Sequence, residues 1–348
     1  MVKKLRAVLC GYYGKGNGGD EALLATLLQM LPDHVEPVVL TATPKETSQR
    51  YGVKVCDRNS ALRIYQTFQK SHAFIWGGGS LIQDVTSAAS PLYYAGLMGL
   101  AQGMGLKTIA WAQGIGPLQR KTTNWIAERC FTRCDGVSVR DEKSAAMLQD
   151  WGVTGVMAPD PVWALAGQTV TELANIPTPR IAVTLRSHPL LTAQRLQVLT
   201  QSLIHLQQAT GATILLVPFQ ASQDLPISQA IHQQLPQSQI LTLEDPRALK
   251  GVFQGVDLAI GMRLHSLIMA AAENCRCFAL SYDPKINQLM AQLEIPGWDL
   301  EQIPEAAEEI SQAWLDTYHH GKSLTPDQVF ALSDRAALHQ ELLTKILT

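Results

Sequence analysis

Short apolar runs alternate with stretches of helical periodicity from residue 5 to about 165. The runs AVLC, PVVL, HAFIW, TIAWA, GVSV and VMA read as buried strands, and the text between them as helices. In DEALLATLLQML, Leu23, Leu24, Leu27, Leu28 and Leu31 fall on one face of a 3.6-residue period. Strands and helices in strict alternation predict a parallel sheet covered by helices. The period is lost in GQTVTELANIPTP, and a second alternation begins with IAVTL and runs through TILLVP, QILTL, VDLAI and CFALSYD. PEAAEEISQAWLDTY and PDQVFALSDRAALHQELLTKI read as amphipathic helices. The expectation is α/β, with domains at 1–168 and 180–322, a linker at 169–179, and a C-terminal helix at 323–348 that crosses back to the first domain.

Several strand-like runs break at once into polar or glycine-rich text: GYYGKGNGGDEALL after AVLC, GGGSLIQD after Trp76, QGIGPL after Ala112, RDEKS after Val139. These breaks fall at the carboxyl ends of strands, the edge where an open parallel sheet binds ligands, so the loops are expected to converge on one crevice. In the first of them Gly14, Gly16 and Gly19 match G-x-G-x-x-G. A dinucleotide site would also need an acidic residue at the end of the next strand. PVVLTATP ends in Thr41, Ala42, Thr43 and Pro44, which takes from the nicotinamide reading its best support. What stands is a turn whose glycines admit a ligand to the backbone beside a helix N-terminus, suited to an anion or a polar sugar.

Length and composition narrow the class. At 348 residues the chain exceeds one ordinary core. With 46% apolar and 17% charged residues it is neither a disordered nor a nucleic-acid-binding chain. The net charge of −2 divides unevenly, 17 Lys+Arg against 13 Asp+Glu in residues 1–170 and 11 against 17 in the rest, so the halves carry +4 and −6. A basic first half fits an anionic acceptor or a membrane surface, but without a polybasic cluster the plain solvated surface stands first. MVKKLRAVLCGYYG lacks the apolar region of a signal peptide, and no run reaches the ~18 apolar residues of a span. A cytoplasmic protein is expected, and the six cysteines read as core residues without a zinc set. No acidic group has metal-site spacing, so no metal is expected.

The second alternation carries the candidate chemistry. GMRLHSL follows VDLAI directly, placing Arg263, Leu264 and His265 at a strand end or first helical turn. Arg186 ends IAVTL, and Lys285 follows CFALSYDP. A lone Arg or His is more often a surface charge or a satisfied helix residue, but here three strand ends each deliver a cation. Arginine offers a planar fork to a carboxylate or phosphate, lysine a point charge, and histidine a proton near neutral pH. Such a set suits a small polyanion with a proton to move: phosphoenolpyruvate, or the diphosphate of a nucleotide sugar.

Taken together, GYYGKGNGGDEALL, WGGGSLIQDVTSAASPLYY, QGIGPL, VRDEKS, DPVWAL, GMRLHSLIMA and YDPK resemble the polysaccharide pyruvyltransferases, most closely their CsaB-type branch, over residues 5 to about 290. The resemblance implies two Rossmann-like domains with a central cleft, as in the glycosyltransferase-B fold. It implies transfer of the pyruvyl group of phosphoenolpyruvate to two hydroxyls of one sugar as a cyclic ketal, with phosphate released and no cofactor. The implied acceptor is an N-acetylmannosamine-containing wall polymer precursor on a lipid carrier, which would call for peripheral contact with the inner membrane leaflet.

On this resemblance Arg186, Arg263, Leu264, Lys285 and Arg140 bind the donor and His265 moves the proton. Gly14, Asn17, Gly18, Asp20, Gly78, Gly79, Ser80 and Asp84 stand on the acceptor side. Asp160 is a further strand-end carboxylate, and Tyr12, Tyr13, Trp111 and Trp163 are candidate sugar platforms, with packing the plainer account of Trp111. The alternatives are a nucleotide-sugar glycosyltransferase or epimerase of the same architecture, and a non-catalytic sugar-phosphate sensor.

Overall fold

A computed structural model of the chain describes residues 4–85 and 89–348. Residues 86–88 of the WGGGSLIQDVTSAASPLYY motif lie outside the described residues. The chain divides into two units, one of Met1–Lys15, Asp20–Leu165 and Ala331–Thr348, the other of Gly16–Gly19 and Ala166–Phe330.

The first unit runs β1 (Leu5–Cys10), α1 (Gly18–Met30), β2 (Val35–Thr41), α2 (Pro44–Tyr51), β3 (Lys54–Asp57), α3 (Ala61–Gln69), β4 (Ala73–Trp76), α4 (Ala89–Gly103), β5 (Lys107–Gln113), α5 (Lys121–Phe131), β6 (Gly136–Val139), α6 (Glu142–Asp150) and β7 (Val156–Met157). Its strands form one parallel sheet in the order β3-β2-β1-β4-β5-β6-β7. Side chains alternate across a strand, so Val8 and Cys10 of β1 join a different cluster from Ala7 and Leu9. The first face packs against Ile64 and Phe68 of α3, Tyr94 and Met98 of α4, Ala127 and Phe131 of α5 and Leu148 of α6. Both faces being covered, the strands read as continuous apolar runs.

In the second unit come β8 (Arg180–Thr184), α7 (Ala193–Thr210), β9 (Thr213–Leu216), α8 (Ala221–Gln234), β10 (Gln239–Ile240), α9 (Pro246–Val252), β11 (Leu258–Gly261), α10 (Leu264–Ala272), β12 (Arg276–Ser281), α11 (Pro284–Leu293), β13 (Gly297–Asp299) and α12 (Ala307–His320). The parallel sheet is ordered β10-β9-β8-β11-β12-β13. Leu199, Leu203 and Leu206 of α7 and Ile310 and Trp314 of α12 cover Ile181, Val183 and Ile260.

Two helices, α13 (Pro326–Ala336) and α14 (Leu338–Ile346), end the chain. The sequence PDQVFALSDRAALHQELLTKI was expected as a single helix; the structure divides it at Ala337. As expected, the end of the chain returns to the first unit. There Leu343 and Ile346 join Leu24 and Leu27 of α1 on the second sheet face, and Gly136 lacks a Cβ where Ile346 lies. Two strands were not anticipated: β3, a four-residue edge strand that is largely half-exposed, and β13, of three residues. Neither is long or apolar enough to signal itself.

All six cysteines are free, and five are buried. Among the described residues no helix is long and apolar enough to cross a membrane, and no group of three or more His, Cys, Asp or Glu is placed to hold a metal ion.

Candidate functional site

In each sheet the strand order reverses once, between β1 and β4 in the first unit and between β8 and β11 in the second. Successive crossovers leave in opposite directions at such a point, opening a crevice at the carboxyl ends of the two strands. All of the sequence-derived donor residues except Arg140, which lies in the first unit, stand at the second unit's strand ends. Arg186 lies two residues beyond β8, Arg263 and His265 follow β11, and Lys285 opens α11 after β12.

The local chemistry holds these residues in place. Arg263 is the N-cap residue of α10 and is buried. Its Nε and Nη2 donate to the two carboxylate oxygens of Asp224 at 2.8 and 2.6 Å. Asp224 is itself fully buried and also accepts the backbone N–H groups of Phe219 and Gln220 at 2.9 and 2.8 Å. One carboxylate thus joins the β9–α8 loop to the end of β11. Thr184 at the end of β8 lies 2.7 Å from Ser266 Oγ, and Ser266 donates to the carbonyl of Arg263 at 2.7 Å. The first turn of α10 is therefore clamped across the reversal.

Arg186 is half-buried. It donates to Tyr282 Oη and Gln223 Oε1, both at 2.8 Å, and its guanidinium lies 5.0 Å from the Tyr282 ring centroid. His188 stacks on the same tyrosine, 4.6 Å between ring centres, and its Nδ1 accepts the Leu190 N–H at 3.2 Å. Burial first and the Arg186 charge second hold the His188 imidazolium below its ordinary range, with Asp283 opposing. Asp283 caps α11 by accepting the Lys285 N–H at 2.9 Å. Asp224, His188, Gln223 and Tyr282 were not singled out from sequence. The signals available were the polar text beyond IAVTL and TILLVP and, for Tyr282, its place in YDPK.

The glycine turn has two parts. Gly16–Gly19 group with the second unit, where the Gly18 N–H donates to the Phe219 carbonyl at 2.7 Å. A Cβ on Gly18 would meet Leu249 Cδ1 at 2.6 Å, and one on Gly19 would collide with the imidazole of His265, Cγ at 2.9 Å and Cε1 at 3.1 Å. Gly19 is thus a glycine because the half-exposed His265 ring packs on it. Asn17 accepts the Gly19 N–H at 3.0 Å and caps α1. Gly14 stands in the first unit at φ 71°, with Glu21 accepting its N–H at 2.8 Å. A Cβ on Gly14 would strike Thr41 Oγ1. Thr41 closes β2 where a dinucleotide site would place its acid, and its hydroxyl lies 2.8 Å from that of Thr47.

Around the first unit's reversal the candidates separate. Asp20 and Gly79 are neighbours, a Cβ on Gly79 lying 3.5 Å from Asp20 Oδ1, and Gly79 has φ 118°. A Cβ on Gly114 would sit 2.9 Å from Ser80 Oγ and 3.4 Å from Arg140 Nε, so Ser80 and Arg140 share one corner. Arg140 is paired with the buried carboxylate of Asp160. Gly78 is packed by Leu23 and Trp111.

Asp84 is buried and accepts the backbone N–H groups of Gln119 and Arg120 at 2.8 and 3.0 Å. Burial raises its carboxyl, but these two bonds and the Thr123 hydroxyl outweigh it and hold the group below the usual carboxylate range. It organises the entry to α5. Of the candidate platforms, Tyr13, Trp111 and Trp163 are buried in the core, and only Tyr12 is exposed.

Two parallel sheets, each with a binding edge at its reversal, define a two-domain α/β protein of the glycosyltransferase-B type. The structure is similar to the UDP-GlcNAc 2-epimerase of Methanocaldococcus jannaschii, with TM-score 0.67, 9% identity, and 98% of this chain and 99% of that one covered. It is also similar to the UDP-GlcNAc 2-epimerase of Neisseria meningitidis bound to UDP-GlcNAc, at TM-score 0.64 and 9% identity, covering 98% and 100%. Anabaena HepE in complex with UDP-glucose follows at 0.55 and 12%, covering 98% and 97%. At such identities the likeness shows the fold alone. No curated protein matches the sequence. A sequence model of the polysaccharide pyruvyl transferase family matches residues 17–284, and the chain belongs to that family.

Proposed function

We propose that the chain transfers the pyruvyl group of phosphoenolpyruvate to two hydroxyls of one sugar in a glycan acceptor, leaving a cyclic ketal and releasing phosphate. The observation that carries this reading is the second unit's strand ends, where Arg186, Arg263, His265 and Lys285 follow three strands in a member of the pyruvyl transferase family. Arg186 and Lys285 meet the donor's carboxylate and phosphate, and Arg263, locked by Asp224, holds the first turn of α10 at the strand end. Protonation of C3 makes C2 electrophilic. A sugar hydroxyl adds at C2, the C2–phosphate bond breaks, and the second hydroxyl closes the ring. The two hydroxyl protons end on the new methyl group and on phosphate.

His265 carries the proton in this reading, and His188, beside Arg186, is the neighbouring imidazole of the same edge. The CsaB-type motifs favour a lipid-linked acceptor containing N-acetylmannosamine, with the glycine turn and the Gly78, Gly79 and Ser80 loop on its side.

His265→Ala is expected to retain the thermal stabilisation given by phosphoenolpyruvate while phosphate release falls ~10²–10⁴-fold. Full turnover in this variant removes the histidine from the mechanism. Stabilisation of the wild type by UDP-N-acetylglucosamine and not by phosphoenolpyruvate would place the protein with the nucleotide-sugar enzymes whose fold it shares.

A further inference from the structure

Helices α3, α4 and α5 cover the same face of the first sheet, and α4 packs against α5. Their outer sides are unusual for a solvated surface. Among the described residues nine large apolar side chains are exposed, and five of them stand on these helices: Leu62, Tyr65, Leu92, Leu100 and Trp125. Leu62, Leu92 and Trp125 expose 67, 54 and 60% of their surface, so they are not grazing the core. The helix α4, ASPLYYAGLMGLAQG, has no charged residue in fifteen, and its exposed positions are Leu92, Gly96, Gly99, Leu100 and Gly103.

On α3, α4 and α5 the charge is mostly positive, while α6 on the same sheet face adds exposed Glu142, Lys143 and Asp150. Residues 61–133 hold seven cations, Arg63, Lys70, Lys107, Arg120, Lys121, Arg129 and Arg133, all exposed, and two carboxylates. Of those carboxylates Asp84 is buried and Glu128 half-buried. The segment's +5 exceeds the +4 of the whole first half, so the basic excess of that half lies within these residues. Arg63, Arg120 and Lys121 stand where α3 and α5 begin, Lys70 and Arg133 just beyond the ends of α3 and α5, and Lys107 opens β5 after α4. Arg129 lies over the Trp125 ring, 5.8 Å from its centroid.

We infer that this face is a docking surface for an anionic phospholipid bilayer. Apolar and aromatic side chains at the centre insert at the headgroup boundary while long cationic side chains reach the phosphates, a combination that holds a helix in the plane of the interface. An acidic protein would be served by the cations but not by a charge-free helix at the centre. The inference concerns where the protein works and is independent of donor chemistry.

The test is sedimentation of the full-length protein with vesicles of phosphatidylcholine alone or mixed with phosphatidylglycerol, at low and high salt. Binding only to the anionic vesicles, weakened by salt, is expected. Lys121→Glu with Arg129→Glu should lower affinity at least fivefold per charge, the order that ~1 kcal/mol per Lys or Arg gives. Trp125→Ser with Leu92→Ser should lower it without changing the salt dependence, whereas Phe330→Ser, exposed in the second unit, should leave it unchanged. Circular dichroism of each variant establishes that it is folded, and release of phosphate with a water-soluble acceptor should not change. Equal binding to both vesicle types, or none to either, overturns the inference. So does a wild-type dimer in light scattering that Trp125→Ser dissociates while vesicle binding is absent, because the face would then be an interface between copies.

Discussion

Acidification through the range 6.5 to 4 should loosen the C-terminal helix from the first sheet, because His339 is held there as a neutral imidazole. The ring is fully buried on α14. Its Nδ1 lies 2.9 Å from Ser138 Oγ and its Nε2 2.9 Å from the Pro159 carbonyl. Ser138 accepts the Ala112 N–H, which leaves its hydroxyl proton for Nδ1, so Nε2 carries the ring proton to Pro159. Burial outweighs the opposing effects of the Pro159 carbonyl and Asp160 and takes the pKa from 6.5 to about 4. At 1.36 kcal/mol per unit, that displacement amounts to roughly 3 kcal/mol. The sign follows from proton counting. Between the two values the unfolded chain holds a proton that the folded chain does not, so this stability is fully present above 6.5 and is lost as the pH falls to 4.

The assay is urea unfolding of the wild type and of His339→Gln at matched pH, since glutamine keeps a polar group and does not titrate. The wild type should lose about 3 kcal/mol more than the variant across that window. Equal losses would refute the reasoning, as would an imidazole resonance of His339 titrating near its ordinary value in the folded protein.

Two further outcomes follow from the second unit. Gly19→Ala drives a methyl group into the His265 ring, and since small misplacements of a reacting group cost on the order of 10²-fold, turnover should fall by about that much with little change in melting temperature. Unchanged kinetics in Gly19→Ala would separate the glycine turn from the histidine's task. Asp224→Ala leaves Arg263 buried without its carboxylate and should destabilise the protein by roughly 3–5 kcal/mol in denaturant titration; a loss under ~1 kcal/mol, the scale of a surface pair, would show that the pair is solvated.

Much of the fold was legible in the chain because parallel strands buried on both faces write themselves as unbroken apolar runs, as AVLC, HAFIW and TIAWA do. The β3 text KVCD sits at a sheet edge with polar ends and gave no such signal. QILTL read as a strand of five residues, yet only Gln239 and Ile240 pair, since β10 is likewise an edge. Arg186, Arg263, His265 and Lys285 could be found because each stands directly after a strand. Asp224 could not, since its partner is 39 residues away and nothing in ASQDLPISQ marks it as buried.

The sequence by itself determined the two α/β alternations and the family, because apolar periodicity and motifs beside strand ends are local properties of the chain. Tertiary structure alone decided what each candidate touches. It showed that Gly19 is small because His265 lies on it, that the fork of Arg263 is spent on Asp224, that Asp84 organises a helix entry, and that Tyr13 and Trp163 are core. It also gathered the exposed apolar residues and cations of α3, α4 and α5 onto one face. These outcomes depend on which strands become neighbours and which helix faces stay uncovered. Such contacts join residues tens to hundreds of positions apart, and no local pattern encodes them.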